Sequence, residues 1–89
     1  MDLDQERRQG DLCRQLVQHD GWKQVMAPWL KQVRDVSLSQ LVVETDFDKV
    51  LRLQARLQVL GDLESFIDTT IEIGSEANRK LEEAELGRP

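Results

Sequence analysis

Residues 47–71 read FDKVLRLQARLQVLGDLESFIDTTI. In this stretch Phe47, Val50, Leu53, Leu57, Leu60, Leu63, Ile67 and Ile71 recur at steps of three and four, the spacing that lays side chains along one side of an α-helix. A second stripe with the same spacing lies upstream: Trp22, Met26, Trp29, Val33 and Val36. Between the two stands a polar break, Glu44-Thr45-Asp46. A short break between two amphipathic helices turns the chain back on itself. The expectation is an all-α fold built on an antiparallel helical hairpin. Its core would set Trp22, Met26, Trp29 and Val33 against Leu53, Leu57, Leu60 and Ile67, with Phe47 among them.

Working outward, residues 1–19 hold a short N-terminal helix expected to pack across the base of the hairpin. Leu12, Cys13, Leu16 and Val17 give it a narrow apolar strip, Gly10 weakens it, and Asp11 is a candidate cap. His19-Asp20-Gly21 is turn-like, and Asp20 is a good N-cap for a helix over 20–44. Pro28 interrupts that helix, because it lacks an N–H and its ring crowds the carbonyl of Gln24. The expected result is a kink across which the tryptophan stripe keeps its phase, with fraying between Ser37 and Val43. Thr45 and Asp48 match a capping box, with Asp46 as the rival cap, and open a long helix over 46–84. Gly61 and Gly74 are its weak points. The whole of 1–89 reads as one small helical domain.

The chain has 89 residues, so its own core gives limited stability and docking or self-association is expected. Twelve Lys and Arg against seventeen Asp and Glu leave a net charge of -5, which argues against direct binding to nucleic-acid phosphates. One cysteine excludes an intramolecular disulfide and fits a reducing cytoplasm. No stretch has the apolar length of a membrane span, and the first residues lack the basic and apolar regions of a signal peptide.

Charge offers the candidate protein-binding residues. Glu64, Asp68, Glu72 and Glu76 recur every fourth residue, and no Lys or Arg occurs from Gln58 to Asn78. They could form a docking stripe for a basic partner, a mimic of DNA phosphates, or a solvated outer face. Lys49, Arg52 and Arg56 make a basic stripe earlier on the same helix, so two copies could join unlike charges. Phe66 falls off the main stripe and is a candidate partner contact. Cys13 and His19 are too few for a zinc site, and no nucleophile-and-base arrangement or phosphate loop can be drawn. No catalytic residue, cofactor or metal is expected. A helix-turn-helix around His19-Asp20-Gly21 is disfavoured, since the following helix offers mainly Lys23, Gln24, Lys31 and Gln32 to a groove.

Two stretches carry a family resemblance. Residues 10–22, from Gly10 through His19-Asp20-Gly21-Trp22, resemble the opening of small helical proteins encoded by tailed bacteriophages. Residues 51–60, with Leu51-Arg52-Leu53-Gln54 leading to Leu60, resemble the second signature of those proteins. Pro28 and the stretch from Thr70 to Pro89 depart from the pattern. The resemblance implies a structural or assembly accessory encoded among head and packaging genes, working in the host cytoplasm or the virion. Its partners would be copies of itself or a head, portal or tail component. The alternative is a small acidic inhibitor or regulator that occupies a nucleic-acid-binding protein.

Overall fold

The computed structural model describes residues 2–87, and over them the chain is all-α. Helix α1 spans Leu3–Gln18, α2 spans Ala27–Val43 and α3 spans Phe47–Leu86. Contacts divide the chain into two units, one of residues 1–19 with 66–89 and one of residues 20–65. Helix α3 is continuous and contributes to both.

Each helix start is fixed by a side chain that accepts orphan backbone N–H groups or by a local change of ladder. Asp2 Oδ1 accepts from the Gln5 N–H at 2.8 Å and begins α1. Asp46 Oδ1 accepts from the N–H groups of Asp48 and Lys49 at 3.0 and 3.2 Å and begins α3. The rival cap thus prevails over Thr45. Glu44 Oε1 accepts from the N–H groups of Thr45 and Asp46, which braces the break itself. Asp11 caps nothing: α1 runs straight through it, and its carboxylate pairs with Arg14 at 3.3 Å.

Ahead of Pro28 the chain takes a π turn over Trp22–Met26, closed by the Ala27 N–H on the Trp22 carbonyl. A π turn fits one extra residue into the ladder, just where an α-helix would press the Gln24 carbonyl against the proline ring. The helical phase therefore shifts between the tryptophans. Trp22 is half-buried while Trp29 is 54% exposed. The helix then continues without fraying to Val43.

On α3 the packed residues follow a seam of alternating three- and four-residue steps, Val50, Leu53, Leu57, Leu60, Glu64, Ile67, Ile71, Gly74, Asn78 and Leu81, joined towards its C-terminal end by half-buried Thr70 and by Ala77, which is 1% exposed. Along the seam itself Leu53, Leu60, Ile67 and Gly74, at seven-residue intervals, are buried, and the others are half-buried. This is the 3.5-residue period of helices that pack side by side. In the 20–65 unit the matching seam of α2 is Ala27, Leu30, Arg34, Ser37, Leu41 and Glu44, with Leu30 and Ser37 buried. That seam lies one residue beyond the expected stripe. Met26 and Trp29, expected in the core, are consequently exposed, and so is Phe47 at 73%. Two stripes on α2 share the same spacing, and the less apolar one packs.

In the other unit, α1 meets α3 at two glycines. A Cβ built on Gly10 would stand 2.6 Å from the Gly74 Cα and 3.1 Å from the Thr70 carbonyl oxygen. A Cβ on Gly74 would stand 2.6 Å from the Gly10 Cα. Backbone meets backbone there, which only glycine permits. Arg14 Nη2 donates to Ser75 Oγ at 2.7 Å beside this contact. Gly61, by contrast, has nothing within 4 Å of its missing Cβ.

These differences set opposite outcomes for one substitution. Gly10→Ala and Gly74→Ala should each lower stability by about 1–3 kcal/mol in urea unfolding, through overpacking. Gly61→Ala should raise it by about 0.5–1 kcal/mol through helix propensity alone. Ser37 is 1% exposed and its hydroxyl has no hydrogen-bond partner, so Ser37→Ala should be stabilising by about 1 kcal/mol in the same measurement.

A candidate protein-docking face

The acidic residues of α3 do not share one side. Each four-residue step overshoots a full helical turn by about 40°, so four of them wind around the rod. Glu64 falls on the packed seam, half-buried, and pairs with Arg34 of α2. Asp68 and Glu72 are exposed and have no ion-pair partner among the described residues. Glu76 is held within its own helix: Arg79 Nε donates to Glu76 Oε2 at 3.0 Å, and a second Arg79 nitrogen reaches Oε1. The Arg79 hydrogen bonds hold the Glu76 carboxyl below the usual carboxylate range, and the guanidinium also pairs with Glu83. The structure therefore leaves Asp68 and Glu72 as the open acids of the four.

The basic residues do come together. Lys49, Arg52 and Arg56 are exposed and, with Gln40, Val43, Glu44 and Leu53, line an open groove of about 310 Å³. Val43 and Gln40 belong to the last turns of α2, where a second open groove runs over Asp35, Val36, Ser39, Gln40 and Val43. From this point the exposed side of α2 continues back through Val36, Trp29 and Met26, with Val33, expected in the core, half-buried between them. Its exposure is high for apolar side chains: Val43 76%, Trp29 54%, Val36 47% and Met26 42%. On α3 the side begun by Arg52 and Arg56 continues into Val59, 65% exposed, and Leu63. Phe66 is 64% exposed. A further groove on α3 is polar, lined by Gln54, Gln58, Gly61, Asp62 and Ser65 with Leu57.

Exposed apolar side chains beside a cluster of cations match the composition of a docking surface. Among the described residues no group of three or more His, Cys, Asp or Glu is placed to hold a metal ion. Cys13 is half-buried and free, and His19 sits at the bend after α1 with its N–H on the Leu16 carbonyl. No described helix is long and apolar enough to cross a membrane. The Arg34–Glu64 pair went unread in the sequence, although unlike charges at seam positions were a signal for it. Comparison with family models, with curated proteins and with solved structures finds no match to the chain.

The ion pair on the seam makes its own prediction. Glu64→Ala leaves the Arg34 guanidinium half-buried without its counter-charge and should cost about 1 kcal/mol in urea unfolding. Replacing both partners by leucine should recover that loss, since an apolar pair of similar volume on a packed seam is neutral or better.

Proposed function

We propose that this chain is a non-enzymatic assembly protein that works by packing its helices onto copies of itself or onto a larger protein. The observation that carries the reading is the exposed stripe Met26–Trp29–Val36–Val43, more apolar than the packed seam of the same helix. Apolar area of this kind is stabilised when a partner removes it from water, by about 25 cal/mol per Å². The reading includes an antiparallel hairpin of α2 and α3. The Arg34–Glu64 pair supports it, as does the groove shared by the last turn of α2 and the first turns of α3.

The setting we propose is that of tailed phages, in the host cytoplasm or the virion, with a head, portal or tail component as partner. The support for it is the likeness of residues 10–22 and 51–60 to small phage helical proteins. The acidic-mimic alternative has less support, because Arg34 and Arg79 already occupy two of its four carboxylates.

Cross-linking in phage-producing cells, followed by mass spectrometry of purified particles and assembly intermediates, tests the reading. The expected result is the chain linked through Lys49, beside the exposed stripe, to itself or to a structural component. Its absence from particles and intermediates, with links to a nucleic-acid-binding protein instead, would overturn assembly in favour of regulation.

A further inference from the structure

Two stretches of opposite charge stand open on this chain, and each supplies what the other lacks. The groove at the break between α2 and α3 sets Lys49, Arg52 and Arg56 beside the apolar Val43 and Leu53. None of the three cations has an ion-pair partner among the described residues. Glu44, the carboxylate in the same lining, is already held by the N–H groups of Thr45 and Asp46.

The last turns of α3 are the reverse. From Leu81 to Gly87 the chain carries Glu82, Glu83 and Glu85 and no cation. The carbonyl end of a helix bears partial negative charge, so carboxylates are unfavourable there and cations are stabilising. Helix α3 has no basic residue in its last turn. Glu83 is paired with Arg79. Glu82 accepts one hydrogen bond, from Asn78 Nδ2 at 3.2 Å, which leaves its charge open to a cation. Glu85 has no ion-pair partner among the described residues. Glu82, Glu85 and Leu86 share one side of the helix, since residues three and four apart are neighbours, and Leu86 is 86% exposed. Lys80, two residues before Glu82, falls on the far side.

We propose that the groove takes the last turns of α3 from a second copy of this chain, with Lys49, Arg52 and Arg56 facing Glu82 and Glu85 and the apolar lining receiving Leu86. Charge complementarity selects this occupant, and the same chain cannot supply it. Arg52 and Glu82 lie on one unbroken helix, thirty residues and about 45 Å apart. The inference rests on the packing role argued above and names the partner and the two surfaces. Opposed charges fix the orientation of the contact. Because it joins unlike surfaces, two joined copies still offer one groove and one α3 end to further copies.

Sedimentation equilibrium of the purified full chain over a concentration series tests this, with helicity read by circular dichroism on each sample. The expected masses are multiples of the 10.3 kDa of one chain. Association should weaken by roughly tenfold from low to high salt, because exposed charges are screened. The paired variants R52Q/R56Q and E82Q/E85Q should each weaken it by roughly tenfold or more with helicity unchanged, since all four side chains are exposed. Mixed in equal amounts, the two variants hold one intact groove and one intact α3 end between them, so they should associate and stop at two chains. A wild-type chain that stays monomeric overturns the head-to-tail contact but leaves docking on a virion component, read by cross-linking, standing. Association indifferent to salt or to either paired variant, or a mixture that does not associate, overturns it as well.

Discussion

The uninterrupted three-four seam of α3, from Val50 to Leu81, is the constraint from which the remaining geometry follows. A helix of 40 residues gains little from propensity alone in water and needs a packed face to persist. Here the packed face is continuous, and it changes character along its length. Leu53 and Leu60 are large and buried in one unit. In the other, the seam passes through Ile67 and Ile71 to Gly74, where side chains vanish and backbones meet. What packs against each half must match it. Helix α2 brings Leu30 and the small Ser37, and α1 brings Gly10.

The glycine contact explains why α1 tolerates a residue that weakens it. Gly10 in a helix interior costs about 1 kcal/mol relative to alanine. That cost is offset by an approach no other residue allows, and Arg14 adds a hydrogen bond to Ser75 at the same place. Gly61 on α3 has no such compensation, so two glycines of one helix have opposite meanings. Sequence spacing could not separate them, because the distinguishing fact is a neighbour from a distant part of the chain.

What was legible in the residues was period and interruption. Steps of three and four announced α2 and α3, and Glu44-Thr45-Asp46 marked the break between them. Phase was not legible. On α2 the stripes Met26–Trp29–Val33–Val36 and Leu30–Arg34–Ser37–Leu41 satisfy the same spacing, and hydrophobicity alone points to the first. Packing against α3 selects the second, because Arg34 has Glu64 to meet there. The acidic run failed for a related reason. A four-residue repeat looks like a line in sequence but is a helix upon a helix, and Glu64 ends on the seam while Glu76 ends beside Arg79. The candidate cations fared differently: Lys49, Arg52 and Arg56 do share a groove, since steps of three and four keep their side.

A chain that packs its more polar stripe and leaves its more apolar one in water has not minimised its own exposed area. An isolated two-helix unit would be more stable with Trp29 and Val36 inside and Arg34 and Ser37 outside, by the transfer free energy of those side chains. Two features hold the observed phase. The Arg34–Glu64 pair would lose its partner if α2 rotated, leaving Glu64 on the seam with an unmatched charge. The π turn before Pro28 sets the phase of everything after it independently of which stripe is greasier. A half-buried polar pair on a packed seam fixes an arrangement at some cost in stability, as polar residues at seam positions do in paired helices. The consequence is that the apolar stripe stays outside with a defined orientation beside Lys49, Arg52 and Arg56, its area left in contact with water.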